Sequence, residues 1–273
     1  EIFHSQFKKV LGSAVNPVLR EGNSDRRVAK AVKKFAQQNP HSIGEWSKSS
    51  KSHVVHMEDG DFYSTEKSTE IKNSRKLCIT LHSDNGSKTI LGKDILVEES
   101  EIIDAACMSK TSLCEFFEKE INAAKEEDIL MSLHLKATMM KISDPIIFGH
   151  AVKVFYKDAF EKHTSILEKL GVDENNGLGD VYSKITQLPS IEQAQIKTDF
   201  DAVYKTRPKL AMVDSDQGIT NLHIPSNVII DASMPALIRS SGKMWGPDGQ
   251  LADTKAIIPD GSYAGIYNEV INF

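Results

Sequence analysis

Cysteine is scarce in this chain: Cys78, Cys107 and Cys114 are the only three in 273 residues. Their odd number and lack of metal-ligand spacing exclude a disulfide framework and a zinc site, so they read as reduced, mostly packed thiols. No apolar run approaches the roughly 20 residues of a membrane span. The opening residues have no signal-peptide apolar core, so the expected location is cytoplasmic. Standard nucleotide signatures are missing too. Gly177-Leu178-Gly179 lacks the third glycine of a dinucleotide fingerprint, and neither a P-loop nor a Gly-x-Ser-x-Gly elbow occurs. Asp214-Ser215-Asp216-Gln217-Gly218 begins like a calcium loop, but Pro225 stands where the closing glutamate is needed. His53 and His56 lie three apart in an expected strand, which sends the two rings to opposite faces and argues against a shared metal. There is no internal repeat or low-complexity linker. Net charge is −5, and no aromatic platform accompanies the basic N-terminal stretch, which argues against nucleic acid.

Apolar residues make up 40% of the chain, enough for a sizeable core in one large domain or two ordinary ones. The stretch from Ser13 to Arg27 strings polar hydrogen-bonders and guanidinium groups around two expected helix starts. Pro17 suits a first helical position with Asn16 as its cap and Gly22 as its stop. Ser24 then caps a second helix that carries Val28, Val32, Phe35 and Ala36 on one face. Two helix N-termini with Arg20 and Arg26 within a turn of them would suit a small polycarboxylate, each arginine able to grip a carboxylate in a two-pronged fork. A solvated basic face explains the same residues, since eight of the first 34 are Lys or Arg against three acids.

Alternating strand and helix patterns imply an α/β class of layered helices and a mixed sheet with attached β-hairpins. Asp59-Gly60, between Ser52–Met57 and Asp61–Ser64, and Asn85-Gly86, between Leu77–His82 and Lys88–Leu91, both predict hairpins. The turn is also the better account of the sequon Asn85-Gly86-Ser87. Glu98 to Asp128 carries ten acids against three lysines, with Ile102, Ile103, Ala106, Leu113, Phe116, Phe117 and Ile121 at roughly helical spacing. Ile129 to Ile142 reads as a strand at least half buried, and Asp144-Pro145 opens a long helix that Gly171 closes. Ser190 with Gln193 predicts a capping box, for a helix running to about Lys205. Leu210–Val213 and Val228–Ile230 predict short strands.

Two further residues could carry chemistry. In a strand, Lys136 shares a face with Ser132 and His134, which would hold and partly desolvate an amine suited to proton transfer. A strand-edge lysine with its ammonium in water fits the same pattern. Asp231 follows the expected strand Val228–Ile230 and precedes a helix that Pro235 would start, at the kind of strand end where α/β sheets bind ligands. Its hard carboxylate oxygen suits Mg²⁺ or Mn²⁺, or it serves as a turn aspartate.

The words Asn16-Pro-Val-Leu-Arg-Glu-Gly-Asn-Ser-Asp-Arg-Arg27, Lys51-Ser-His-Val, His134-Leu-Lys-Ala-Thr-Met-Met-Lys141, Ser143-Asp-Pro, Asn221-Leu-His, Asp231-Ala-Ser-Met-Pro235 and Gly242-Lys-Met-Trp-Gly-Pro-Asp-Gly249 resemble the monomeric, NADP-dependent isocitrate dehydrogenases of bacteria. The resemblance runs in order through almost the whole chain, which then looks like an internal segment of a longer enzyme. It implies an isocitrate/isopropylmalate dehydrogenase-like fold, incomplete here, with residues 1–24 belonging to a smaller substrate and cofactor domain and 25–273 to the large domain. It implies that Ser13, Asn16, Arg20 and Arg26 bind isocitrate, that Asn16 also lies beside the nicotinamide of NADP, that Lys136 is catalytic and that Asp231 binds the divalent metal. A catalytic tyrosine, partner aspartates, a further substrate arginine and the residues for the NADP 2′-phosphate would belong beyond Phe273. The expected activity is oxidative decarboxylation of isocitrate to 2-oxoglutarate by a monomeric parent, the 273-residue piece alone being inactive, weak in metal binding and prone to self-association. The competing expectation is a non-catalytic module that binds carboxylates or a partner protein.

Overall fold

The computed structural model describes residues 30–39, 44–136, 140, 142–224 and 230–273, apart from the side chains of Val32, Lys33, Ala36 and Asp231. Helix α1 (Lys30–Gln38) agrees with the expected second helix; its cap, Ser24, lies outside the described residues.

The centre is a mixed sheet. Strands β1 (His53–Val55), β6 (Leu130–Leu133) and β10 (Leu251–Ile257) run parallel in the order β1-β10-β6, while β9 (Lys243–Trp245) pairs antiparallel with β10. On its other side β6 is bridged by Leu210, with the Met131 N–H donating to the Lys209 carbonyl and the Ala211 N–H to the Met131 carbonyl. All four residues of β6 are buried, as expected of a parallel strand with neighbours on both edges and cover on both faces.

Alternation along β10 divides the core. Ile257 packs into the larger cluster with Phe117, Ile121, Phe148, Val152, Phe155 and Phe200. Its neighbours Ala256 and Ile258 face a smaller cluster with Val54, Ile230, Met234, Leu237 and Ala264. One face of the sheet therefore carries α3 (Lys110–Glu127), α4 (Ser143–Phe155) and α7 (Ser190–Val203), and the other carries α8 (Ile230–Arg239) and α9 (Gly261–Asn272). Between these come α2 (Phe62–Thr65), α5 (Lys157–Lys169), α6 (Leu178–Lys184) and the small β7 (Met212–Asp214) and β8 (Ile219–Thr220) pair.

Helix α3 forms where its sequence requires. Ser109 caps it by accepting the Ser112 N–H, and Leu113, Phe116, Phe117, Ile121 and Ala124 recur at three- and four-residue steps and are buried. It ends at Asp128 in the left-handed region at φ 52°, a conformation that aspartate tolerates better than most residues. The two isoleucines read into the same helix, Ile102 and Ile103, instead belong to β5 (Ile102–Ala105), which pairs with β2 (Lys67–Glu70). Strands β3 (Arg75–His82) and β4 (Lys88–Val97) form the hairpin expected around Asn85-Gly86. Gly86 takes φ 81° there, and the Asn85 Oδ1 accepts the Ser87 N–H.

Other expectations need correction. Asp59-Gly60 does not join a hairpin. Asp61 caps α2 through a reciprocal pair with Ser64, and β1 finds its partner in β10, some two hundred residues away in sequence. The strand expected to Ile142 stops at Leu133. The long helix from Ser143 breaks at Tyr156, whose backbone leaves the helical region at φ −100° and ψ 25°, so α4 and α5 are separate. Pro189, not Ser190, occupies the cap position of α7, no side chain caps it, and the helix ends at Val203. Ile230 lies in α8 rather than ending a strand, Pro235 lies inside that helix rather than at its start, and Val228 and Ile229 lie outside the described residues. The thiols are free, but Cys78 and Cys107 are exposed rather than packed.

Candidate active site

Because β1, β10 and β6 are parallel, their carboxyl ends open on one edge of the sheet, the usual place for ligands in such sheets. The chain leaving β6 there is anchored residue by residue. Asn221 receives the Leu133 N–H on Oδ1 at 2.6 Å and donates from Nδ2 to the Leu133 carbonyl at 3.2 Å. The His134 N–H donates to the Ile257 carbonyl and the Ile230 N–H to the Leu135 carbonyl. The Lys136 N–H donates to Asp144 Oδ2 at 2.6 Å, a charge-assisted bond.

Lys136 is 9% exposed, which excludes the strand-edge reading of a lysine in water. It lies three residues past the end of β6, so strand alternation does not place it. Its Nζ stands 4.4 Å from the centroid of the Tyr263 ring, a cation–π distance. Lys136, Asp144, Asp260 and Tyr263 line one small cavity together with His134 and Ile230.

The cavity walls shift the acids and the imidazole. Burial pushes the Asp144 carboxyl up to about 6, against the opposing hydrogen bonds from the Lys136 amide and Ser143. Burial also raises Asp260, which accepts the backbone N–H groups of Tyr63 and Ser262. His134 is buried, which lowers its pKa to about 4 and keeps the ring neutral at pH 7. Its Nδ1 is 2.8 Å from the Ser233 Oγ, while Nε2 is buried with no hydrogen-bond partner among the described residues.

Asp231 lies within α8 rather than ahead of a helix started by Pro235; Val228 and Ile229 of the strand expected before it lie outside the described residues. The start of α8 nevertheless lies against the Lys136 segment, through the Ile230 to Leu135 hydrogen bond and the Ser233 to His134 contact. The fold thus brings the backbones of Lys136 and Asp231 to one place from positions far apart in sequence. The Asp231 side chain lies outside the described residues, as do Ser13, Asn16, Arg20 and Arg26. Among the described residues no group of three or more His, Cys, Asp or Glu could hold a metal. His53 and His56 do not meet: His53 Nδ1 contacts the Lys51 carbonyl and His56 Nδ1 the Met57 carbonyl.

Gly177 and Gly179 serve packing. The Leu178 and Gly179 N–H groups bond the carbonyls of Leu222 and His223, an approach that leaves no room for a Cβ at Gly177. Asp214 to Gly218 is the β7–β8 turn, with the Gln217 N–H donating to Asp214 Oδ1.

Sequence reasoning missed Asp144, Asp260 and Tyr263 as neighbours of Lys136. Asp144 was legible only as a helix-opening residue, and nothing local marks the other two. A second buried lysine, Lys255, is a useful contrast: Glu120 and Glu127 hold its ammonium at 3.2 and 2.8 Å, as a structural ion pair does.

A family model described as "Monomeric isocitrate dehydrogenase" matches residues 1–273. The chain belongs to the monomeric isocitrate dehydrogenase family. It is 61% identical over 267 residues to "Isocitrate dehydrogenase [NADP] 2" of Colwellia maris, covering 98% of this chain and 36% of that protein. It is 56% identical over 267 residues to "Isocitrate dehydrogenase [NADP]" of Azotobacter vinelandii, with the same coverage. The Mycobacterium tuberculosis protein "Isocitrate dehydrogenase [NADP] 2" is 52% identical over 268 residues, again 98% of this chain and 36% of the relative. The chain therefore spans about a third of the length of these members of the monomeric isocitrate dehydrogenase family.

Proposed function

We propose that this chain is part of an NADP- and divalent-metal-dependent dehydrogenase that converts isocitrate to 2-oxoglutarate and CO2. The observation that carries the reading is the convergence of a buried Lys136 and the first turn of α8, which bears Asp231, within a chain of this family.

The reaction removes the substrate hydroxyl proton, transfers hydride to NADP⁺, releases CO2 and reprotonates an enolate. Lys136 is placed to move a proton, since its side chain is buried at a small cavity lined by Asp144, Asp260 and Tyr263. Arg20 and Arg26 hold substrate carboxylates in register, which is catalysis by orientation, with Ser13 and Asn16 completing the clamp. Asn16 would also contribute to binding NADP. The Asp231 carboxylate suits a hard cation and would supply one oxygen to Mg²⁺ or Mn²⁺; among the described residues no group of three or more His, Cys, Asp or Glu is placed to hold the ion by itself. A bound metal supplies Lewis acidity at the hydroxyl oxygen. The fold reading that accompanies this function is isocitrate/isopropylmalate dehydrogenase-like, working as a monomer in the cytoplasm.

The test is NADPH formation by the full-length protein with isocitrate and Mn²⁺, followed by identification of 2-oxoglutarate. Turnover is expected, with Lys136→Met losing on the order of 100-fold or more in kcat. Absence of isocitrate-dependent reduction in the wild type refutes the proposal.

A further inference from the structure

We infer that Asp144 is the positioning residue for Lys136, holding the lysine's backbone in place through a closed ring of hydrogen bonds and balancing its charge in the cavity. This rests on the reading of Lys136 as the proton-transfer group.

The ring has three bonds. The Met140 N–H donates to the Lys136 carbonyl at 2.8 Å, the Asp144 N–H to the Met140 carbonyl at 3.1 Å, and the Lys136 N–H to Asp144 Oδ2 at 2.6 Å. One side chain thus closes a turn that ordinary backbone bonding leaves open, at the residue whose placement matters. Asp144 Oδ1 is itself held by the Ser143 hydroxyl at 3.3 Å, which fixes the plane of the carboxylate. The carboxylate is 8% exposed in the first turn of α4, where the helix N-terminus favours negative charge.

Each element packed around Asp144 adds to its environment. The exit of β6 contributes Lys136 and His134, the β10–α9 junction contributes Asp260, and α9 contributes Tyr263, whose ring underlies the ammonium. Phe62, Ile147 and Ile258 supply apolar wall. Asp260 opposes ionisation of Asp144 and Lys136 favours it, but burial is the larger influence and places the carboxyl near 6. The bond to the Lys136 amide is therefore charge-assisted at neutral pH and weakens as the medium becomes mildly acidic. Misplacing a reacting group by about 1 Å costs on the order of 100-fold in rate.

The test uses the full-length enzyme and two variants. Asp144→Ala deletes the acceptor; Asp144→Asn keeps an acceptor oxygen and abolishes the titration. Asp144→Ala is expected to lower kcat by on the order of 10- to 100-fold with little change in the isocitrate KM. Asp144→Asn should lose far less and should lack the fall in kcat that the wild type shows toward acid near pH 6. Acylation of Lys136 by an amine reagent at neutral pH, mapped by peptide mass spectrometry, gives a readout independent of turnover, and should accelerate several-fold in Asp144→Ala. Wild-type kcat in a folded Asp144→Ala, an intact acid limb in Asp144→Asn, or unchanged Lys136 labelling would each overturn the proposal. If Asp144→Ala does not fold, the acid limb and the Lys136 labelling of Asp144→Asn decide. If the wild type does not reduce NADP⁺ with isocitrate, the functional reading fails and labelling alone decides the role of Asp144.

Discussion

At the scale of single residues, the site concentrates groups whose ionisation costs the fold something. Asp144 rises from 3.8 to about 6 and His134 falls from 6.5 to about 4, both because burial disfavours charge. The signs oppose each other. The raised Asp144 contributes stability that is fully present below its unfolded value and is lost as pH rises through about 6. The lowered His134 makes the folded state bind fewer protons than the unfolded chain, so its contribution is lost as pH falls from 6.5 toward about 4. Each shift corresponds to about 3 kcal/mol, so the contributions of these two groups largely cancel across this window. Asp144→Asn should unmask the histidine, with stability falling on acidification between about pH 6.5 and 4. His134→Gln should do the reverse. Denaturant unfolding at several pH values measures both slopes. At pH 7 Asp144→Asn should also be more stable than the wild type while less active, the trade expected where a site holds a costly charge.

At the scale of elements, local pattern and long-range pairing divided the outcome. Helix α3 and the β3–β4 hairpin were legible, because a three- and four-residue apolar rhythm and an Asn-Gly turn are local signals. Asp59-Gly60 carried the same kind of signal and misled. Asp61 made a capping box, and no turn dipeptide can announce that β1 pairs in parallel with a strand far along the chain. Alternation extended β6 too far because Leu133, His134 and Lys136 are all buried although the paired register with β10 ends at Leu133. The Gly177–Gly179 pair packs against the Leu222–His223 backbone, and that role sets a test. Gly177 has φ 81°, and a Cβ there would collide with the His223 carbonyl. Gly177→Ala should therefore destabilise by at least about 1–2 kcal/mol, visible as a lower denaturant midpoint with unchanged m.

At the scale of the whole molecule, a well-packed sheet with helices on both faces carries an appendage of a different kind. Among the described residues the β3–β4 and β2–β5 ribbons are each two strands, and such ribbons are marginal without cover. Ile79, Leu81, Ile90 and Leu96 are 54%, 49%, 58% and 74% exposed on the first of them. An apolar ribbon with open edges favours pairing between chains. The 273-residue chain is expected to self-associate with rising concentration in light scattering, and Ile79→Lys with Leu81→Lys should reduce this without lowering Tm. A strictly monomeric wild type over the same range would contradict the expectation.

What the sequence by itself determined is the family and the elements whose signals are local. Long matching words carry those facts without reference to three dimensions, and cap, turn and amphipathic rhythm are properties of short segments. Only the tertiary structure decided that Lys136 is buried rather than at a wet strand edge, that Asp231 starts a helix against its segment, and that Asp144 closes the turn around it. The reason is physical: burial, parallel pairing and the shifts they impose on titrating groups depend on neighbours brought together from remote parts of the chain, and local periodicity holds no record of which those neighbours are.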